Sequence, residues 1–177
     1  MKKTVLFIVV LFLFSGCSPD YKEEMAELGE LEFFLESLKN SFESVDQKQV
    51  DKAIKAYKHN ISQIKKYYHT DTVEKEFVQL INKYKGIKNG SKGLSENLKN
   101  IQSNLTTMTK QLNNLRTDVE NGLLVKDSIV QYLINEKENL NQLSNNISNY
   151  LGTCDAIVSL DDSLSSKVRD LINGYSD

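Results

Sequence analysis

Tryptophan is absent from the 177 residues, proline occurs once, at Pro19, and cysteine twice, at Cys17 and Cys154. Without proline after residue 19, no missing backbone donor interrupts a helix in the body of the chain. Two cysteines are too few for a disulfide-stapled scaffold, and no CxxC pair is present to hold zinc or run thiol exchange. HExxH, GxSxG, the Rossmann glycine pattern and the Walker sequence are missing as well. Gly86 and Gly90 have three residues between them where a phosphate loop needs four, and no strand leads into them, so nucleotide binding is not expected. Positive charge is also lacking: 22 basic residues face 24 acidic ones. Such a surface does not condense on nucleic acid or anionic head groups.

What the chain does have begins at its start. Met1-Lys2-Lys3-Thr4 precedes ten apolar residues, Val5 to Phe14, and then Ser15-Gly16-Cys17. A charged segment, a short apolar core and a small-residue cleavage site form a secretory signal, predicted over residues 1–16. Ten residues reach only about 15 Å as a helix, half of a ~30 Å hydrocarbon core, too short for a permanent span.

Phe14-Ser15-Gly16-Cys17 resembles the bacterial lipobox, although Phe14 stands where leucine is commoner. The resemblance implies a lipoprotein: diacylglyceryl transfer to the Cys17 sulfur, cleavage before it and acylation, with palmitate as a typical chain. Two or three acyl chains give stable anchoring. The mature chain then carries 20 basic and 24 acidic residues, a charge of −4. Residues 17–20 form a tether so short that the domain should sit near the membrane. Ser18 resembles a residue that permits outer-membrane sorting in enterobacteria. Lys22-Glu23-Glu24 resembles the lysine-plus-acids export tag of Bacteroidota lipoproteins, though further from the cysteine than usual. Both favour a cell-envelope location at the outer membrane, with the face left open.

From residue 21 to 177 the pattern is that of a single all-α domain. From Met25, the residues Leu28, Leu31, Leu35, Leu38 and Phe42 recur at three and four residues, one helical face. Ser44-Val45-Asp46-Gln47 fits a capping box, followed by Val50, Ile54, Tyr57, Ile61, Ile64 and Tyr68. These two stretches predict a short helical hairpin over residues 21–69. Asp71, with Glu74, suggests a further helix start. Val73, Phe77, Leu80, Tyr84 and Ile87 then keep one phase through to Leu94, Leu98, Ile101, Leu105, Met108, Leu112, Leu115 and Val119. Unbroken phase across Gly86, Gly90 and Gly93 favours one soft helix with a hinge over two separate helices. Asn121-Gly122 closes it with a glycine cap, and Asp127 or Ser128 caps the next helix. Its stripe runs through Ile129, Leu133, Leu140, Leu143, Ile147, Tyr150, Cys154, Ile157, Leu164, Val168, Leu171 and Tyr175, with Glu136 and Asp161 as polar faults. Residues 71–121 and 126–175 thus predict a long antiparallel coiled-coil hairpin of about 75 Å, and the whole an elongated helical bundle.

Candidate chemistry is sparse. His59 and His69 lie ten residues apart, not the three or four that put two ligands on one helix face. Glu23-Glu24 and Asp161-Asp162 are adjacent and do not face each other. Cys154 reads as a small apolar filler. No enzyme activity, metal or cofactor is expected. Asp71-Thr72-Val73, Asp127-Ser128-Ile129 and Asp162-Ser163-Leu164 resemble the O-glycosylation sequon of Bacteroidota, which would modify Thr72, Ser128 and Ser163.

The leading expectation is a lipid-anchored, non-enzymatic interaction or scaffold protein that engages another envelope protein or a second copy of itself by helix-face recognition. Its contact site is placed in the turn furthest from the membrane, at Leu123, Leu124 and Val125, or these three fold back onto the helix ends. The alternative is a small-ligand or glycan-binding lipoprotein, with a pocket between the hairpins lined by Tyr57, Tyr68 and Tyr84.

Overall fold

The computed structural model describes residues 21–67 and 75–174. The signal segment, Cys17 and the tether lie outside them, as do Tyr68, His69, Asp71, Thr72 and Tyr175. Six α-helices account for nearly all of the described chain, and no strand occurs among these residues: α1 Lys22–Glu43, α2 Gln47–Tyr67, α3 Lys75–Tyr84, α4 Gly86–Ser91, α5 Leu94–Glu120 and α6 Lys126–Gly174. The expected all-α, elongated bundle is therefore observed. Its spine is α6, whose 49 residues extend about 74 Å at 1.5 Å per residue.

The other helices lie along α6 in two legs. Tyr21 bonds Leu124, Lys126 pairs with Glu24, Gln47 bonds Tyr150 and Asn60 bonds Ser165. Both residue numbers in these pairs rise together, with a separation of 102 to 105. Hence α1 and α2 run end to end and parallel to α6. In the second leg the numbers run oppositely: Tyr84 meets Asp161, Gly86 meets Leu160, and Gly90 meets Ile157. That leg, α3 to α5, descends antiparallel to α6, and α5 and α6 form the expected long hairpin. The molecule is an up-down-up bundle of three legs around one continuous core.

This corrects the short hairpin expected over residues 21–69. The chain kinks at residues 44–46 without reversing, so α1 and α2 pack on α6 rather than on each other. The cap also differs. Asp46 Oδ1 accepts from the Lys48 and Gln49 amides at 3.0 and 3.1 Å, whereas the Ser44 hydroxyl turns back to the Ser41 carbonyl. The Gln47 side chain, freed from capping, donates to the Tyr150 hydroxyl at 2.6 Å. The Tyr150 ring lies 5.6 Å from that of Phe42, the last core residue of α1. One α6 tyrosine thus ties both sides of the kink.

The second leg breaks where glycines gather, yet its phase survives, with Tyr84, Ile87, Leu94 and Ile101 all buried. It is three successive pieces rather than one continuous helix. Two of the glycines serve proximity: a Cβ on Gly86 would lie 2.7 Å from Leu160 Cδ1, and one on Gly90 3.1 Å from Ile157 Cγ1. Their absence lets α4 approach α6 closely. Gly93 takes the left-handed conformation, φ 75°, as α5 begins.

At the other end of α5 the glycine cap is as expected. Gly122 has φ 64°, its N–H bonds the Val119 carbonyl, and the Leu123 N–H bonds that of Asp118, which is the Schellman arrangement. Next, α6 opens at Lys126 on the Val125 carbonyl, ahead of the expected Asp127 or Ser128 cap.

Candidate functional site

The α5–α6 turn does not lie where the sequence pattern places it. Tyr21, the first described residue, donates its hydroxyl to the Leu124 carbonyl at 2.9 Å. The turn therefore stands beside the chain's entry into the bundle. The opposite end of the rod holds Tyr67, Lys75 and Gly174. A turn expected at the distal end instead lies beside Tyr21. Its apolar triplet also divides: Leu124 packs against the core, while Leu123 and Val125 are each 68% exposed.

Around this turn α1 is clamped by charge. Arg116 forks onto Glu32, its Nε donating to Oε1 at 2.8 Å and its second nitrogen to Oε2. Lys126 Nζ lies 2.8 Å from Glu24 Oε1, which holds the Glu24 carboxyl below the usual carboxylate range. Glu24 is only 5% exposed, and its other oxygen has no hydrogen-bond partner among the described residues. Lys22-Glu23-Glu24 forms the first turn of α1, with Lys22 and Glu23 exposed and Glu24 buried.

A second cluster lies toward the far end and was not foreseen. Asn60, 2% exposed, occupies the core position expected for Ile61, and Ser165 the one expected for Leu164. Asn60 Nδ2 donates to the Tyr84 hydroxyl at 3.0 Å and to Ser165 Oγ at 3.3 Å. Tyr84 donates onward to Asp161 Oδ1 at 3.4 Å, and Arg169 donates to Ser165 Oγ at 2.9 Å. One polar residue from each leg meets the others inside the core. Burial raises the Tyr84 hydroxyl above its ordinary value, so it stays protonated and able to donate. The polar fault expected at Asp161 is the rim of this knot. Glu136, the other fault, sits half-buried beside Asn139.

The tyrosines expected to line a pocket do something else. Tyr57 and Tyr84 are buried with ring centroids 5.1 Å apart, filling the core between legs. Burial raises both hydroxyls. An open groove of about 740 Å³ lies at the α1–α2 kink, lined by Val45, Asp46, Leu151, Asp155 and Asp162 among others. Cys154 is buried behind it, and burial pushes its thiol pKa up, which suits an inert filler more than a nucleophile. Burial also pushes the Tyr150 hydroxyl to about 12, against the lowering effect of Gln47.

The remaining candidates are scattered. His59 is exposed at the far end, beside Gln63, Tyr67 and Arg169. Ser128 is half-buried in the first turn of α6. Ser163 is exposed in mid-helix, its hydroxyl bonded to the Ser159 carbonyl. Among the described residues no group of three His, Cys, Asp or Glu side chains is placed to hold a metal ion, and no helix is long and apolar enough to cross a membrane.

Compared with protein-family models, curated proteins and solved structures, the chain matches none of them.

Proposed function

We propose that the protein is a lipid-anchored, non-enzymatic scaffold of the cell envelope, held at the outer membrane through Cys17 and presenting its far end to another envelope protein. The observation that carries this reading is the constant separation between leg one and α6, from Tyr21–Leu124 to Asn60–Ser165. It makes the body a rod with chain entry at one end and about 70 Å of helix leading away from it. A short tether on such a rod gives a defined standoff, and anchoring raises the local concentration of the far end for a partner in the same compartment. The three-way polar knot supports the reading further, because a spacer works only if its legs keep one register, and polar core residues oppose slippage.

The anchor is tested by acyl labelling in a lipoprotein-processing host. Wild type is expected to take up a palmitate analogue and to sediment with outer-membrane fractions, whereas Cys17→Ser does neither. Equal labelling of the two chains would refute the reading.

A further inference from the structure

Leu123 and Val125, each 68% exposed, stand at the end of the rod where the chain arrives from Cys17. We propose that this turn is a second membrane contact, its two side chains seated at the boundary between head groups and acyl chains of the bilayer that holds the Cys17 lipid. The inference rests on the anchor reading above.

Covalent geometry limits where the turn can be. Four residue steps from Cys17 to Tyr21 span at most about 14 Å, and the Tyr21 hydroxyl is 2.9 Å from the Leu124 carbonyl. Cap chemistry explains why Leu123 is left open. A Schellman turn commonly covers its last apolar residue against side chains one turn back, but those positions hold Asp118 and Thr117. Leu124 meanwhile closes the end of the core, so the bundle does not need its two neighbours for packing. On α6, Val130 and Ile134 lie four residues apart on one face and are also exposed, at 41% and 52%.

The attraction is apolar in origin. The first turns of α1 and α6 and the last turn of α5 carry five acids against two lysines, so anionic head groups would not draw this end in. Two side chains alone would hold a bilayer weakly. Tethered by a lipid a few residues away, they act at high effective concentration, and two contacts restrict the rod's tilt where one would leave it a pivot.

Because the chain has no tryptophan, a single Leu123→Trp substitution supplies the only indole emission, at a site that packing does not use. Val78→Trp, at the far end and 40% exposed, is the control. Each lipidated mature protein is reconstituted into phosphatidylcholine vesicles, at most one copy per vesicle, with and without brominated acyl chains. The expected result is a blue shift and loss of emission at position 123, stronger for bromine near the head group than near the chain end, unchanged by salt and absent at position 78. Unshifted emission at 123 on vesicles that carry the protein overturns the second contact and leaves the anchor standing. A blue shift without bromine quenching assigns the turn to protein packing and overturns it too. Quenching at both positions means a rod lying flat, which contradicts the upright geometry. Protein that fails to float with the vesicles overturns the anchor, and the inference with it.

Discussion

Between the turn and the kink, the core is made of Leu28, Leu31, Leu35, Leu38, Leu105, Leu112, Leu115, Leu133, Leu140 and their like. Beyond the kink it changes character. Asn60, Ser165 and the Tyr84 hydroxyl enter the core, two aromatic rings pack at a tilt, and glycines bring α4 close to α6. The first half supplies burial, at about 1.5–3 kcal/mol for each fully buried large side chain. A repeating leucine stripe, however, fits nearly as well when shifted by one heptad. The second half buries fewer large aliphatics but is specific, since its donors, acceptors and missing Cβ atoms match in one alignment only. Stability and register are thus unevenly divided along one rod.

The largest effect that would sharpen this contrast belongs to the leucine half. Leu140→Ala, at a wholly buried site, is expected to cost roughly 2–5 kcal/mol in urea unfolding. A loss near zero would mean that the seam is not closed there. In the polar half the expected response is smaller and non-additive. Tyr84→Phe removes an acceptor from Asn60 and should cost about 1–3 kcal/mol, whereas combining it with Asn60→Leu should cost less than Tyr84→Phe alone, because no donor is then stranded. Additive losses would show that the knot is not a connected network.

At the junction between the halves, Asp46→Ala should cost about 1 kcal/mol through lost capping, with Ser44→Ala near neutral. The reverse order would restore the capping box read from the sequence. The smallest effect concerns the Glu24–Lys126 pair. Because the folded-state pKa of Glu24 is lowered from its ordinary value of 4.5, its contribution is present above that pH and lost as pH falls through the depressed value. Acid titration of unfolding should show this loss in wild type and less of it in Lys126→Met. Equal acid sensitivity would dismiss the pair.

The same contrast separates what was legible in the sequence from what was not. All five apolar residues of the α1 stripe are buried, and Gly122 takes its left-handed cap, because regular periodicity and cap chemistry are local signals. Asn60 and Ser165 escaped notice because apolarity served as the proxy for burial, and the true core face drifts by one residue from Ile61 and Leu164. On α2 that face runs Val50, Ala53, Tyr57 and Asn60, one residue before the apolar series, and on α6 it takes Ser165, one residue after Leu164. The kink misled for a different reason: capping residues show where a helix stops, not whether the chain reverses. The chain continues past residues 44–46 in the same direction along α6, which gives three legs in place of a short hairpin and a long one. The knot itself joins residues up to 105 positions apart, and no local pattern announces such a meeting.

The central claim is that α1 and α2 form one leg, and a single distance tests it most directly. Spin labels at Phe33→Cys and Tyr67→Cys, both exposed sites, in a Cys17→Ser, Cys154→Ala background, report the span along that leg by pulsed electron resonance. Two helices running end to end through the kink over 34 residues predict a separation of up to about 50 Å. A separation near 20 Å would mean that the two helices fold back on each other, and the single leg, with the rod built on it, would be wrong.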